Sequence, residues 1–454
     1  MQAVLFFLPN TGQIRYNILT YGLLCPEWNL YMKTDNLFSD KKILIWGYGR
    51  EGQSTEKWLE THVSPKSVDI SSATPEEMLE GAGDGYDVII KSPGIVWPPK
   101  ADSYSEEDLK KISVISAKIT SQTEIFISTF RDKTIGVTGT KGKSTTVSML
   151  AHVLGETSGK KVILAGNIGL PCLDYYDEAE GDSIVVLELS CHQLKGAKTA
   201  PHISVFLDLY EEHLDYYGTM EAYFEAKSHI VSRQMSGDKA YIGENVPEIK
   251  SESEQIRVIP SKEDLEGIEL NLYGEHNRIN AYFVKKICME NFGISEVDVL
   301  KSLNSFEALP HRMKKIGTFE EINFYDDSIS TIPEAAISAA TSIPDAQVVL
   351  VGGMDRGISY SVLEDFMKEH AEFKFICMYA TGKRIVEELG EGLSNVYYEA
   401  DLEGAVKKAF EITDKGRGCV LSPAAASYGY FKNFEERGDV FAQLVVKHGS
   451  DKSL

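Results

Sequence analysis

The stretch Thr134-Ile-Gly-Val-Thr-Gly-Thr-Lys-Gly-Lys143-Ser-Thr-Thr146 joins a segment rich in β-branched residues to a turn with two glycines, two lysines and several hydroxyls. In such a turn, glycines let backbone N–H groups converge on an anion, Lys143 adds positive charge, and Ser144 or Thr145 can offer a hydroxyl to magnesium. Apolar residues then recur at helical spacing from Val147 to Leu154. A strand before the turn and a helix after it favour a nucleotide phosphate site over a plain connecting turn.

The spacing of this loop departs from the most common phosphate-loop pattern. The pattern G-x-x-x-x-G-K-[ST] would require glycine at position 137, where this chain has Val137. The loop is therefore a variant, T-G-T-K-G-K-S-T-T at residues 138–146.

The composition predicts a globular cytoplasmic protein. Its 68 acidic and 46 basic residues give a net charge of −22, which argues against a general nucleic-acid or anionic-membrane binder. The six cysteines are scattered without a C-x-x-C pair, so neither a zinc site nor a disulfide framework is indicated. No segment reaches the ~18 apolar residues of a transmembrane helix. We expect a monomer with local basic pockets for anionic substrates.

The length of 454 residues predicts about three domains of ~150 residues each. Residues 1–38 read as an N-terminal extension. The apolar start lacks the basic segment of a signal peptide. Met32 offers a later first residue, as expected if the start of the chain was misassigned. We expect residues 1–31 to be dispensable for folding and activity.

Residues 39–131 are predicted to form a Rossmann-like domain. The strand Lys42–Trp46 runs into G-Y-G-R-E-G at 47–52, and Asp69 follows about 20 residues later on a second strand, as in dinucleotide-binding folds. A third strand, Tyr86–Ile90, leads into S-P-G at 92–94, at the strand end where such sheets bind ligands. Tight packing between strand and helix would require the same glycines, so this motif alone is a weak signal.

Polar residues follow the strands of the predicted central domain, residues 132–307. The strand Ser183–Leu187 leads to Glu188, which is well placed to hold magnesium beside the phosphate loop. A second strand leads to Asp208, two more carboxylates and His213. Lys227 lies on a predicted helix, and the residue pattern alone indicates an ordinary surface lysine. Residues 308–454 again alternate strands and helices, which predicts a third α/β domain.

Together these motifs resemble the Mur ligase family from about residue 41 to the C-terminus. The similar segments are G-Y-G-R-E-G at 47–52, S-P-G-I at 92–95, G-T-K-G-K-S-T-T at 139–146, G-N-I-G at 166–169, L-E-L-S at 187–190, H-L-D at 213–215, A-K at 226–227, G-E-H-N-R-I-N at 274–280, L-P-H-R at 309–312 and L-S-P-A-A-A-S-x-x-x-F-K-N-F-E-E-R-G at 421–438. The resemblance implies an α/β protein of three domains: a Rossmann-like domain for a UDP-linked substrate, a P-loop-type central ATPase domain with a mostly parallel sheet, and a Rossmann-like domain for the incoming amino acid.

The resemblance also implies ATP-dependent ligation of a carboxylate to an amine. The most similar branch adds D-glutamate to UDP-N-acetylmuramoyl-L-alanine through an acyl phosphate, in peptidoglycan precursor synthesis. Two Mg²⁺ ions are implied, one held by Ser144 and Glu188 and the other by His213 and a carbamylated Lys227.

The resemblance assigns residues to four groups. Contacts with ATP are implied for Gly139, Thr140, Lys141, Gly142, Lys143, Ser144, Thr145, Asn277, Asn280, Arg312 and Asp327. Contacts with the UDP-linked substrate are implied for Gly49, Arg50, Glu51, Asp69, Ser92, Pro93, Gly94, Asn167, Ser190 and His213. Glutamate is assigned to Thr331, Ser427 and Phe434, with Arg356 added because arginine binds carboxylates bidentately. The catalytic group is Lys143, Glu188, His213 and Lys227.

Three positions depart from the family pattern. Asp208 stands where the family often has asparagine, Glu212 replaces a common aspartate, and Ile329 stands where D-glutamate ligases frequently carry lysine. A variant that adds L-glutamate therefore stays as an alternative. A ligase like folylpolyglutamate synthase is another, because it shares the ATPase core, although it lacks an N-terminal Rossmann-like domain with G-Y-G-R-E-G before the phosphate loop.

Two other classes of protein fit less of the chain. An NAD-dependent oxidoreductase would explain residues 47–52 and Asp69 but would leave the loop at 139–146 without a role. A P-loop switch or scaffold protein would bind ATP without amino-acid-dependent release of phosphate. For a ligase we expect domain closure, with hinges near Phe130–Lys133 and Ser305–Leu309.

Overall fold

The computed structural model describes residues 35–100, 103–167, 170–212, 214–270, 272, 274–307, 310–355, 357–390 and 392–450. The chain divides into two compact units, with the boundary between Thr129 and Phe130. The first unit holds a four-stranded sheet, and the second holds two six-stranded sheets.

The first unit is built on a parallel sheet of order β2-β1-β3-β4. Its strands are β1 (Lys42–Trp46), β2 (Ser67–Ser71), β3 (Val88–Lys91) and β4 (Ile119–Thr120). Its helices are α1 (Asp35–Phe38), α2 (Arg50–His62), α3 (Pro75–Glu77), α4 (Glu106–Lys118) and α5 (Gln122–Phe130), with a π-helical turn at Met78–Ala82. The predicted third strand thus begins two residues later than expected, at Val88.

The second unit begins with a parallel sheet of order β10-β9-β8-β5-β7-β6. The strands are β5 (Thr134–Thr138), β6 (Lys161–Gly166), β7 (Ser183–Glu188), β8 (Ile203–Phe206), β9 (Lys239–Gly243) and β10 (Glu254–Val258). The helices are α6 (Lys143–Thr157), α7 (Tyr176–Glu180), α8 (Cys191–Leu194), α9 (Leu214–Tyr217), α10 (Met220–Ser232), α11 (Glu275–Phe292) and α12 (Glu296–Ser305). Short 3₁₀ turns lie at Arg131–Lys133, Cys172–Tyr175 and Glu263–Leu265.

The central strands of this sheet are buried along their whole length, as parallel strands covered on both faces must be. Helix α6 packs against α11 and α12 on one face. Val147, Leu150 and Leu154 of α6 join a continuous apolar core there. This packing fixes the N-terminal end of α6, and with it the phosphate loop, at the carboxyl edge of the sheet.

The second sheet of this unit has the order β11-β12-β16-β13-β14-β15 and is parallel except for the pair β11 and β12. Its strands are β11 (Lys314–Phe319), β12 (Ile322–Asp326), β13 (Ala346–Gly352), β14 (Lys374–Met378), β15 (Val396–Glu399) and β16 (Gly418–Leu421). Its helices are α13 (Pro333–Ser342), α14 (Ser361–Glu369), α15 (Tyr379–Leu389), α16 (Leu402–Ile412) and α17 (Phe434–Ser450). Apolar cores cover both faces.

The predicted fold class, α/β with mostly parallel sheets, is confirmed. The domain limits at residues 38, 131 and 307 stay predictions, and the proposed extension lies almost wholly outside the described residues. Within the described part of the chain, no helix has the length and apolar character needed to cross a membrane.

Candidate active site

The phosphate loop lies between β5 and α6. Gly142, the residue before α6, has a φ of +79°, a left-handed conformation that favours glycine. A Cβ at this position would lie 2.8 Å from the amide atoms of Asn280 on α11. The structure therefore brings Asn280, a predicted ATP contact, against the loop, while Asn277 lies one turn earlier on the same helix.

Lys143 is the first residue of α6, and its ammonium group lies over the loop. Its Nζ donates hydrogen bonds to the carbonyl oxygens of Gly139, at 2.9 Å, and Thr140, at 2.8 Å. An ammonium group has three protons to donate. The two backbone bonds therefore orient Lys143 and leave one donor for an anion in the loop.

Lys227 on α10 reaches the same loop from the other side. The residue is only 1% exposed, and its Nζ donates to the carbonyl of Gly139 at 2.6 Å and lies 5.0 Å from the ring centre of Tyr223. Burial, reinforced by the charge of Lys143, lowers the pKa of Lys227 to about 7.

The surface position indicated for Lys227 by the residue pattern is therefore wrong. Tyr223 and Lys227 are four residues apart on α10, so they share one helix face, and that face is turned toward the phosphate loop. The helical pattern could identify the face but not what covers it.

Glu188 is the last residue of β7 and is 2% exposed. Its Oε1 accepts a hydrogen bond from Asn167 Nδ2 at 2.7 Å, whereas its Oε2 has no hydrogen-bond partner among the described residues. A buried carboxylate oxygen is costly unless it is paired. This oxygen fits the chemistry of a hard cation such as Mg²⁺, which prefers oxygen ligands.

The described residues hold no group of three or more His, Cys, Asp or Glu side chains arranged as a metal site. A magnesium ion would therefore draw on Glu188, on the Ser144 hydroxyl, and on phosphate and water oxygens. His213 lies outside the described residues, as does Arg356.

Arg312 links the second sheet of this unit to the phosphate loop. It precedes β11, and its Nη2 donates to Ser144 Oγ at 2.9 Å. Burial lowers the pKa of Arg312, while the neighbouring carboxylates of Glu188 and Asp327 oppose that shift. A permanent cation therefore stands beside the hydroxyl that is predicted to meet magnesium and ATP.

Asp327 is 3% exposed, and both of its carboxylate oxygens are engaged by protein donors. Oδ1 accepts from the Met313 amide at 3.2 Å, and Oδ2 accepts from the hydroxyls of Ser422, at 2.8 Å, and Ser330. Burial raises the pKa of Asp327 to about 7. These contacts place Asp327 in support of the loop before β11, and its predicted contact with ATP is untested.

Two of the predicted motifs, L-P-H-R and F-E-E-R-G, contribute residues to one cluster, which the residue assignments missed. His311 Nδ1 lies 2.6 Å from Asp326 Oδ2, and a Cβ on Gly438 would lie 2.1 Å from that same His311 nitrogen. Arg437, which is fully buried, donates to the backbone oxygen of Ser328 at 2.8 Å. The signal was present in L-P-H-R and F-E-E-R-G, but more than a hundred residues separate these segments.

Of the predicted glutamate contacts, Phe434 lies beside this cluster, and Arg356 lies outside the described residues. Ser427 is buried, Thr331 is half-buried, and Phe434 begins α17 with its ring centre 6.1 Å from that of His311. Ser328 Oγ donates to the carbonyl of Phe434 at 2.8 Å.

The predicted contacts with the UDP-linked substrate are divided between the two units. In the first unit, Ser92 Oγ donates to the carbonyl of Gly47 at 2.9 Å, so the S-P-G turn and the glycine turn before α2 are in contact. Gly49, Arg50 and Glu51 lie at the start of α2, Pro93 and Gly94 lie in the S-P-G turn, and Asp69 is exposed on β2. Asn167 and Ser190 belong to the second unit, after β6 and β7.

Comparison with known proteins places this chain in a family. Residues 137–255 match the Mur ligase middle domain. The UDP-N-acetylmuramoylalanine--D-glutamate ligase of Aquifex aeolicus is 31% identical over 420 residues, which cover 89% of this chain and 98% of the relative. The fold is similar to that of a MurF ligase from Thermotoga maritima in complex with ADP, with a TM-score of 0.54 at 17% identity over 92% of this chain and 98% of that one.

A bifunctional folylpolyglutamate synthase/dihydrofolate synthase from Yersinia pestis has a similar fold over a smaller part of the chain. Its TM-score is 0.51 at 16% identity, covering 71% of this chain and 92% of that chain. The match to the Aquifex aeolicus relative, by contrast, covers 89% of this chain. The resemblance seen in the motifs is thus confirmed, and the chain belongs to the Mur ligase family.

Proposed function

We propose that this protein is an ATP-dependent ligase that joins D-glutamate to UDP-N-acetylmuramoyl-L-alanine in the synthesis of peptidoglycan precursors. The observation that carries the proposal is the convergence of Lys143, Lys227 and Arg312 on the phosphate loop, in a chain 31% identical to a D-glutamate ligase. ATP and UDP-linked sugars are cytoplasmic metabolites, so we assign the reaction to the cytoplasm.

The first step brings two anions together. A carboxylate oxygen of the sugar-linked substrate attacks the γ-phosphorus of ATP, the bond from that phosphorus to the bridging oxygen breaks, and ADP leaves. Lys143, beside the loop carbonyls, and Arg312, bonded to Ser144, supply positive charge where the negative charge develops. In the second step the glutamate amine attacks the acyl carbon, and inorganic phosphate leaves as the amide forms.

Mg²⁺, when bound, would neutralise part of the triphosphate charge. Ser144 and Glu188 are the residues that would hold one ion, since Glu188 Oε2 is buried and lacks a partner among the described residues. We assign a second ion to His213 and a carbamylated Lys227. Carbamylation requires an uncharged amine, and the lowered pKa of Lys227 supplies one near neutral pH.

The glutamate site is assigned to Thr331, Ser427, Phe434 and Arg356. Ile329 supports a second candidate, a ligase that adds L-glutamate. D-glutamate ligases frequently place a cation at this position, and the half-buried Ile329 side chain lacks one. The two enantiomers carry the same charges in mirrored positions, so a missing cation bears directly on the choice between them.

Release of phosphate from ATP tests the proposal. Purified protein with Mg²⁺ and UDP-N-acetylmuramoyl-L-alanine should release phosphate when D-glutamate is added and much more slowly with L-glutamate. Lys143→Ala should abolish release, because it removes the cation of the loop. Preference for L-glutamate would replace the proposal by its second candidate, and activity with a folate instead of the UDP-linked substrate would overturn both.

A further inference from the structure

The segment after β8 holds the phosphate loop through direct hydrogen bonds. One carboxylate oxygen, Asp208 Oδ1, accepts from the backbone amides of Thr140, at 2.7 Å, and Lys141, at 2.9 Å. The Thr140 amide also donates to the backbone oxygen of Asp208 at 3.1 Å. Farther along the segment, the Tyr210 amide donates to Thr140 Oγ1 at 3.0 Å.

These contacts change which amides of the loop can hold an anion. In a glycine-rich phosphate loop, successive backbone N–H groups point toward the phosphate oxygens. Here the first two N–H groups after Gly139 already donate to a half-buried carboxylate. The donors that remain are those at the N-terminal end of α6, from Gly142 to Thr145, together with Lys143.

The charge on Asp208 is compensated only in part by its surroundings. Burial raises the pKa of this carboxyl, and the two amide donors and the charges of Lys143 and Lys227 oppose that rise. Asparagine at this position would keep an acceptor oxygen but would carry no charge. Compared with asparagine, the aspartate therefore adds a negative charge next to the position assigned to a triphosphate. It adds no acceptor that the loop requires, because the asparagine oxygen would serve the same two amides.

We propose that Asp208 is a positioning residue for ATP: its side-chain oxygen holds the Thr140–Lys141 segment in the geometry that binds nucleotide, and its charge opposes the triphosphate. The proposal rests on the proposed function only for the identity of the nucleotide. In this assignment residues 142–145 bind the triphosphate, and the amides of Thr140 and Lys141 do not.

Two substitutions separate the acceptor from the charge. Asp208→Asn keeps an oxygen for the two amides and removes the charge, so we expect it to bind a non-hydrolysable ATP analogue at least as tightly as the natural chain. Asp208→Ala removes the oxygen and leaves two loop amides without their acceptor. Compared with Asp208→Asn, affinity should then fall on the order of 10- to 100-fold, the effect of losing these hydrogen bonds.

Calorimetric titration of the full-length protein with the MgATP analogue measures these affinities without the sugar substrate or glutamate. A failure of the proposed ligase reaction would therefore leave this result intact. Glu211→Ala is the matched control, because it removes one negative charge from an exposed position in the same segment and should leave affinity within about twofold.

Two outcomes would overturn the assignment. Tighter nucleotide binding by Asp208→Ala than by Asp208→Asn would mean that the side-chain oxygen competes with phosphate for the loop amides. Equal affinity in Asp208→Ala and Asp208→Asn, with or without a lower melting temperature, would reduce Asp208 to a packing role. Support requires weaker nucleotide binding in Asp208→Ala than in Asp208→Asn, because only the alanine variant lacks the acceptor.

Discussion

Lys227 shows how a single residue acquires its chemistry from its surroundings. A lysine in water has a pKa of ~10.4, whereas this one, buried against the Gly139 carbonyl and near the charge of Lys143, has a pKa of about 7. Burial disfavours the charged form of this amine. The neutral form, which it favours, is the one that can react with carbon dioxide. Perturbed residues of this kind concentrate at functional sites.

The first prediction concerns stability. Because the pKa of Lys227 is lower in the folded protein than in the unfolded chain, the folded state binds fewer protons between pH 7 and ~10, and stability rises with pH across that window. Lys227→Met should therefore raise the free energy of unfolding most at and below pH 7, with the gain vanishing toward pH 10. Urea denaturation at several pH values measures this.

Lys250→Met, at an exposed position, is the control for that experiment and should show no such pH dependence. A Lys227→Met variant that is less stable than the natural chain at pH 6.5 would contradict the lowered pKa.

The second prediction concerns modification of the same amine. Protein equilibrated with ¹³C-bicarbonate should show a carbamate carbon signal in its NMR spectrum that grows from pH 6 to pH 8, as the amine of Lys227 loses its proton. The signal should be missing in Lys227→Ala, and short carboxylates such as formate should restore part of the activity of that variant. A carbamate signal that persists in Lys227→Ala would place the modification elsewhere.

Helix α6 illustrates how one element serves both packing and binding. Its buried face joins the core of the first sheet of the second unit, while its first turn carries the loop donors. Two glycines of this region differ in backbone conformation and in their surroundings. Gly142 has a left-handed backbone and a Cβ there would lie 2.8 Å from Asn280, whereas a Cβ on Gly155 would meet nothing within 4 Å.

The third prediction is that alanine has opposite effects at these two positions. Gly142→Ala should destabilise the protein by about 1–2 kcal/mol from backbone strain alone, and should weaken nucleotide binding because the start of α6 must shift. Gly155→Ala should stabilise it by about 0.5–1 kcal/mol, because glycine is a poor residue inside a helix. Chemical denaturation of both variants tests this, and destabilisation of similar size at both sites would refute the distinction.

At the scale of the whole molecule, the chain combines a strongly acidic composition with a cationic site. The net charge is −22, yet Lys143, Lys227 and Arg312 converge near the phosphate loop. Local placement of cations therefore gives an acidic protein a region that suits an anion. A monomeric state, the pair of magnesium ions and the predicted hinges stay predictions at this scale.

The fourth prediction follows from the net charge. Like charges spread over a folded chain repel one another, and salt screens them, since the Debye length falls from ~30 Å at 0.01 M to ~8 Å at 0.15 M. The melting temperature of the ligand-free protein should rise between 10 and 150 mM NaCl. An equal osmolality of glycerol serves as the control for general solvent effects, and a melting temperature that falls with salt would contradict the argument.

The sequence by itself predicted the elements of the fold, and the roles that it assigned to site residues stay predictions. The strand, glycine turn and helix around residues 134–157 were predictable because they are local, and Glu188 was placed by the rule that ligands bind at the carboxyl ends of parallel strands. Pattern alone did not predict the burial of Lys227, which depends on how α10 packs beside the loop.

Only the tertiary structure decided which distant groups share an environment. The sequence determined that this chain carries a phosphate loop, parallel sheets and the segments of a ligase, because strand and helix periods and turn residues act over a few neighbours. It could not determine that Asp208 engages the amides of Thr140 and Lys141, or that Arg312 meets Ser144. Those contacts, and the pKa of Lys227, depend on packing between segments far apart in the chain.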